Sequence, residues 1–149
     1  MSGAPGIATI GYERDTPEGF LRRLEADGVG VLCDVRRDPV SRKRGFSKRA
    51  LAESCVRAGL RYEHLPHLGI AREKRRAIGT PAEREAVFDE YEAGLRADRG
   101  ALAAIRAWVE SGERIALACY ERDPAECHRH RLARVLEATF GPAFAPRDL

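Results

Sequence analysis

The chain has 149 residues, of which 44% are hydrophobic and 33% charged, and its formal net charge is +3. This length suits one domain with its own core, so we expect a single domain over residues 1–149. No apolar run approaches the roughly 20 residues of a membrane helix, which argues against a membrane partner. The basic residues are mostly arginine, whose planar fork suits phosphate, and a phosphate-bearing partner is therefore permitted.

Residues 1–6 lack the charged start and apolar stretch of a secretory signal. We therefore expect a cytoplasmic protein whose cysteines are reduced. Cys33 and Cys55 lie in apolar patterns typical of buried thiols, which argues against structural disulfides.

In the first half of the chain, apolar segments predict strands over residues 7–11, 31–35 and 60–65. Helices are predicted between them. One starts at Thr16 with a proline in its first position, and the other is capped by Ser47.

In the second half, residues 66–79 show no clear periodicity and contain a basic cluster of Arg72, Lys74, Arg75 and Arg76. Loops of this length are often functional or mobile. The remaining predicted elements are a helix opened by a capping box over residues 80–83, a helix over 102–110, a strand over 115–119, a helix capped by Asp123 and a short edge strand at 144–145.

The alternation of strands and helices favours an α/β fold with a mainly parallel sheet flanked by helices on both faces. In such folds ligands bind beyond the carboxyl ends of the strands. Chemically distinctive residues follow four predicted strands at these ends, in segments 11–13, 34–36, 64–66 and 119–121. Their coincidence predicts a functional site at this edge of the sheet.

Several short motifs appear in the order of a known family. They are TIGY at residues 9–12, DVR at 34–36, PVSR at 39–42, GFS at 45–47, HLP at 64–66, LG at 68–69 and C-x-E-x-x-P-x-x-C-H-R at 119–129. The chain resembles the domain of unknown function 488 family over nearly its whole length. The resemblance implies a compact, single, three-layer α/β domain, and it implies no particular reaction.

Two histidines depart from the family pattern. Typical members carry an acidic residue where this chain has His67, and a small or basic residue where it has His130. His67 can add a hydrogen-bond donor or a metal ligand in this branch. The sequence therefore gives less support for a role of either histidine than for a role of His128.

The cysteines of the last motif are the first catalytic candidates. Cys127, His128 and Arg129 fall in the first turns of a predicted helix, where free amides and the arginine favour a thiolate. Cys119, at the end of the preceding strand, can face the same place. The alternative is that Cys119 is simply buried and that Cys127 packs the helix.

Carboxylates form a second set of catalytic candidates. Asp34 ends a strand beside Arg36, and Glu13 and Glu121 follow neighbouring strands, so the set can supply an acid and a base if burial separates their pKa values. The alternative is that these side chains are paired with arginines for structural reasons.

Anion binding is predicted from Arg36, Ser41, Arg42 and Arg129, which can converge on one point from two strand ends and a helix start. Solvated surface charge is the alternative. Further pocket residues are expected to be Tyr12, Glu13 and His64, with the tyrosine able to stack on a base.

No cofactor or metal is expected. Cys119, Cys127, His128 and His130 include suitable donors, but adjacent Cys-His ligands after a seven-residue gap match none of the common zinc spacings.

The leading hypothesis is an enzyme, a hydrolase or transferase, that acts on a phosphate-bearing nucleotide or nucleic-acid substrate. One rival is a noncatalytic module that binds phosphate or nucleic acid through the same basic mouth. The other is a thiol redox or metal-binding protein that uses Cys119 and Cys127. A closed pocket favours catalysis, whereas an open groove favours binding alone.

Overall fold

The computed structural model describes residues 3–149, which form a five-stranded sheet flanked by six α-helices. The strands are β1 (Gly6–Gly11), β2 (Val31–Asp34), β3 (Arg61–His64), β4 (Arg114–Cys119) and β5 (Pro146–Asp148). The helices are α1 (Pro17–Ala26), α2 (Lys48–Arg57), α3 (Arg72–Arg76), α4 (Pro81–Ala97), α5 (Ala103–Glu110) and α6 (His128–Phe140).

The sheet has the strand order β3-β2-β4-β1-β5, and each neighbouring pair is parallel. Cys119 at the end of β4 pairs with Gly11 of β1, and Ala118 pairs with Asp34 of β2. The carboxyl ends of these three strands therefore meet at one edge, as expected for the predicted α/β fold.

Side chains alternate between two cores, one on each face of the sheet. Ile7 and Ile115 face the core that contains residues of α4, α5 and α6, whereas Ile10 and Ala116 face the core of α1 and α2. This alternation is the period of two that strands impose. The result is the three-layer arrangement implied by the family resemblance.

Two predicted helix starts are confirmed. The Thr16 hydroxyl accepts a hydrogen bond from the Gly19 amide at 3.0 Å, and the Thr80 hydroxyl accepts one from the Glu83 amide at 3.1 Å. Ser47 occupies the cap position of α2, but its side chain makes no capping bond.

The start of α6 differs from the prediction. Asp123 and Pro124 open a single 3-10 turn over Pro124–Glu126, in which the Asp123 carboxylate accepts from the Ala125 amide, and the α-helix begins at His128. Cys127 therefore occupies the cap position. A capping aspartate followed by proline suits either type of helical turn, so the sequence pattern could not separate them.

The predicted strand at residues 144–145 is wrong by two positions. Phe144 closes a 3-10 turn (Pro142–Phe144) and buries its ring in the core, and β5 follows at Pro146–Asp148. Proline is tolerated there because β5 lies at the edge of the sheet. No helix within residues 3–149 is long and apolar enough to cross a membrane.

Candidate functional site

A cavity of about 660 Å³ opens at the carboxyl edge of the sheet. Its walls come from the residues after β1, β2 and β4 and from α3 and the first half of α4. The helix α3 lies in the segment that showed no periodicity in the sequence, and it supplies Arg72, Arg75 and Arg76 to the wall.

Cys119, Cys127 and His128 lie together on the cavity wall, and all three are buried. The Sγ atoms of Cys119 and Cys127 are 3.8 Å and 3.7 Å from Nδ1 of His128. Cys119 ends β4, whereas the other two residues begin α6, so the sheet edge and the helix start bring them together. The Glu121 carboxylate is 3.6 Å from the Cys119 thiol.

The His128 ring is held from two sides. Its Nε2 is 2.8 Å from the main-chain carbonyl of Val35, and because a carbonyl can only accept, Nε2 must carry the proton. In the neutral ring, Nδ1 then has a free lone pair and lies next to the two thiols. Tyr91 of α4 packs edge-on against the ring at a centroid distance of 5.3 Å and donates its hydroxyl proton to the carbonyl of Leu68 at 2.6 Å.

The pKa values of the titratable groups in this cluster are shifted in different directions. Burial opposes charge on Cys127, but the hydrogen bond from Cys119 and the proximity of His128 and Arg129 lower the pKa of the Cys127 thiol well below its usual value. The hydrogen bond to Cys127, together with burial, raises the pKa of Cys119. Burial disfavours a charged His128, yet Cys127 raises the pKa of its ring overall. Burial, followed by Cys127, raises the pKa of Glu121 to about 7.

Asp34 is the last residue of β2 and holds Arg36, a residue of the cavity wall. It is completely buried, and its carboxylate accepts from Nε and Nη2 of Arg36 and from the Tyr62 hydroxyl. Asp34 is therefore paired with Arg36, the arrangement given above as the structural alternative to a catalytic role. Asp34 is not part of the cavity wall, whereas Arg36 is, so the carboxylate reaches the cavity only through the arginine that it holds.

Arg129 is placed differently from the convergence predicted by the sequence. Its side chain is 0% exposed and is not part of the cavity wall. Its two terminal nitrogens donate to the main-chain carbonyls of Glu121 and Arg122, because the helix start points the side chain back under the loop after β4. In this arrangement it fixes that loop. The Glu13 carboxylate binds the same loop by accepting from the Arg122 amide at 3.0 Å.

Ser41 and Arg42, two of the predicted anion-binding residues, lie on the cavity wall. The Ser41 amide donates to the Ser47 hydroxyl at 2.9 Å, and that hydroxyl donates back to the Ser41 carbonyl. Ser47 therefore closes the loop after β2, which explains why it does not cap α2.

Tyr12 lines the cavity but is 4% exposed. Its ring stacks on Phe46 at 4.5 Å, and its hydroxyl accepts from Arg36. His64 lies outside the wall, with Nε2 2.8 Å from the carbonyl of Arg36, and so supports the main chain there. His67 contacts the carbonyl of Ala101 instead of the cluster.

Besides the predicted Arg36 and Arg42, the wall contains arginines that the sequence did not assign to the site: Arg37, Arg72, Arg75, Arg76 and Arg84. Within residues 3–149, five of the wall arginines make no ion pair with a carboxylate: Arg37, Arg42, Arg72, Arg76 and Arg84. The Nε atom of Arg84 is buried without a hydrogen-bond partner. The acidic residues on the wall are Asp38, Glu121 and Glu126, and Asp38 is near Arg75. The cavity therefore has an excess of positive charge.

Comparison with known proteins identifies the family. A protein-family model described as "Domain of unknown function DUF488" matches residues 16–136, most of the chain. The chain belongs to the DUF488 family. Searches of curated proteins and of solved structures found no match to this DUF488 chain. The family resemblance seen in the sequence is thus confirmed, and the DUF488 name carries no reaction.

The geometry defines what this DUF488 site can do. The wall can bind an anion through several guanidinium groups, and the Cys119, Cys127 and His128 donor atoms, all within 4.8 Å of one another, can act as nucleophiles or ligate a metal ion. His130 is not part of this set. The sequence grouped these residues, but their spacing matched no common zinc motif because they come from a strand end and a helix start.

Proposed function

We propose that this DUF488 protein is an enzyme, a hydrolase or transferase, that binds a phosphate-bearing substrate in the arginine-lined cavity. One observation carries the proposal. Five arginines without a carboxylate partner among the described residues surround a cavity whose wall also contains the Cys119, Cys127 and His128 cluster.

Unpaired guanidinium groups in one concave place favour an anion. Each presents a planar fork of donors that fits phosphate oxygens, and such charge-assisted bonds are about twice as strong as neutral ones. Arg84 is one of these wall residues, and its Nε, like that of Arg129 beneath the loop after β4, is buried without a hydrogen-bond partner in residues 3–149.

The size and rim of the cavity favour a nucleotide over a duplex. A volume of about 660 Å³ lies in the range of small-molecule sites. Tyr120 and Val40 are 45% and 73% exposed on the wall and offer an apolar surface beside the arginines. Tyr120 is better exposed for stacking a base than Tyr12, which is packed against Phe46.

The rival function is a module that binds phosphate or nucleic acid without catalysis. The cluster supports catalysis, because a thiol whose pKa is lowered beside a histidine in a cavity is typical of reactive sites. Nucleotide turnover separates the two. Incubation with nucleoside mono-, di- and triphosphates, followed by chromatography, should reveal a product; tight binding without any product would favour the module.

Binding is tested by thermal unfolding at low salt with pyrophosphate or ADP. Ligand at a hundredfold excess over its dissociation constant should stabilise the protein by about 2.7 kcal/mol. Arg76→Gln and Arg84→Gln should reduce that shift. Arg22→Gln, at an exposed position of α1 outside the cavity wall, is the matched control and should not. The absence of any ligand-dependent shift in the wild type would end the proposal.

A further inference from the structure

Three donor atoms on the cavity wall have the mutual spacing of metal ligands. The two thiol sulfurs are 3.7 and 3.8 Å from Nδ1 of His128. In a tetrahedral zinc site with Zn–S of about 2.3 Å and Zn–N of about 2.0–2.1 Å, sulfur and nitrogen ligands lie about 3.6 Å apart. The two sulfur–nitrogen distances need almost no adjustment, and the two sulfurs lie within 4.8 Å of each other, against about 3.8 Å in such a site.

The hydrogen bond that His128 makes through Nε2, the ring nitrogen that does not face the sulfurs, is typical of metal-ligating histidines. Such a ring donates its other N–H to a carbonyl or carboxylate, which fixes the tautomer and the ring orientation. Here Nε2 donates to the carbonyl of Val35 at 2.8 Å, and Tyr91 packs against the ring edge-on. Nδ1 is therefore presented to the two sulfurs without rotation of the ring.

Burial and charge also suit an ion. Cys119, Cys127 and His128 are 7%, 1% and 4% exposed, so a free thiolate among them would be a buried charge with few water contacts. A divalent ion with two thiolates is formally neutral, which removes that cost. All three residues nevertheless line the cavity, which provides an entry path from solvent.

We propose that Cys119, Cys127 and His128 bind one thiolate-preferring divalent metal ion, with zinc the first candidate. Soft sulfur and imidazole donors select zinc over magnesium or calcium. Three protein ligands leave one position for water or substrate, as in catalytic zinc sites. Building on the proposed function, the ion would polarise a phosphoryl oxygen of a substrate held by the wall arginines.

The common zinc spacings describe ligand pairs carried on one loop, such as the knuckles of zinc fingers, and Cys119, Cys127 and His128 are not arranged in that way. In this protein the first ligand closes β4 and the other two open α6, with a 3-10 turn between them. The sheet and the helix, and not a loop motif, set the distances.

The test measures bound metal in the full chain, without reference to activity. Protein produced with added zinc and purified without chelator should contain about one zinc per chain by mass spectrometry. Cobalt substituted for zinc should give the visible bands of a tetrahedral site and thiolate-to-cobalt charge transfer. Cys119→Ala, Cys127→Ala and His128→Asn should each weaken binding by more than roughly 100-fold, since even supporting residues change metal affinity by about 10–100-fold.

The matched control is Cys55→Ala, which removes a buried thiol from α2 on the other face of the sheet and should leave zinc content unchanged. If the ligand variants do not fold, X-ray absorption of zinc-loaded wild type decides, because it should show two sulfurs at about 2.3 Å. Zinc well below one per chain, zinc that persists in Cys127→Ala, or a spectrum without sulfur would overturn the metal site.

Thermal unfolding with pyrophosphate, measured after a chelator has removed any metal from the protein, separates this proposal from the proposed function. Stabilisation by pyrophosphate without zinc binding would overturn the metal site alone. Stoichiometric zinc at sulfur ligands without any stabilisation by pyrophosphate or ADP would support the metal site and end the phosphate proposal.

Discussion

The Asp34 carboxylate accepts two hydrogen bonds from the Arg36 guanidinium, one of 2.8 Å from Nε and one of 2.7 Å from Nη2. The carboxylate is completely buried, whereas the arginine lies on the cavity wall. The Nη1 atom of Arg36 also donates to the Tyr12 hydroxyl and to the carbonyl of Phe46. The carboxylate thus sets the position of a cation that faces the cavity.

Asp34→Asn should therefore be strongly destabilising. Removing one partner leaves the Arg36 charge uncompensated beneath the surface, and such changes cost about 3–5 kcal/mol. Urea unfolding measures the loss. Glu53→Gln, which breaks the exposed pair with Arg49, is the control and should change stability by less than about 1 kcal/mol. Equal stability of Asp34→Asn and wild type would show that the pair contributes nothing to the fold.

Arg129 should matter for stability more than for anion binding. Arg129→Ala removes the donors to the carbonyls of Glu121 and Arg122, and each unpaired buried group costs about 1–3 kcal/mol. Arg122→Ala, with an exposed side chain, should be nearly neutral. Denaturant unfolding compares the two variants. A stable Arg129→Ala protein that had lost its pyrophosphate shift would instead restore the anion-binding role expected from the sequence.

Gly11→Ala tests the close approach between the ends of β1 and β4. A methyl group at Gly11 would overlap the main-chain carbonyl of Glu121, which Arg129 binds. Because the obstacle is backbone, we expect a loss of about 1–3 kcal/mol. Gly94→Ala in α4 meets no atom within 4 Å and should stabilise by about 0.5–1 kcal/mol. Thermal unfolding of both variants is sufficient, and a neutral Gly11→Ala would contradict the predicted overlap.

The four cysteines should divide by reactivity on alkylation of the folded, metal-free protein. Cys127 lines the cavity and its pKa is lowered, so it should label first, whereas Cys119 lines the same cavity but should label more slowly because its pKa is raised. Burial, followed by Asp34, raises the pKa of Cys55 to about 12, so at pH 8 almost none of it is thiolate and its labelling should await unfolding. Cys33, fully buried in β2, should behave in the same way. Mass spectrometry assigns the sites, and Cys55 labelling as fast as Cys127 would contradict the division.

The fold was predictable because its determinants are local. The threonine caps of α1 and α4 accept hydrogen bonds from amides in the first turns of their own helices. The apolar runs of β1, β2 and β4 are long enough to identify without tertiary context. The short helix α3 has no buried residue, so it lacked an apolar stripe that could have revealed it.

The site was predictable only to the level of segments. Sequence order indicates that Cys119 and Cys127 lie near the same edge, but it does not indicate which way a long side chain turns. Arg129 turns inward to two carbonyls, while Arg84, which the apolar stripe of α4 did not single out, lies on the cavity wall. Side-chain direction depends on packing against distant residues, which no local pattern encodes.

The position of β4 between β1 and β2 sets an order for assembly. Both of these neighbours precede β4 in the chain by about eighty residues or more, yet each pairs with β4 and not with the other. A nascent chain that ends before Arg114 cannot close the middle of the sheet, because it lacks the strand that pairs with both β1 and β2. Closing the sheet then requires long loops that bring distant segments together. The segments that carry the proposed metal donors and the arginines therefore meet only after the start of α6 has been synthesised. During synthesis the cavity cannot exist before His128 has been added to the chain.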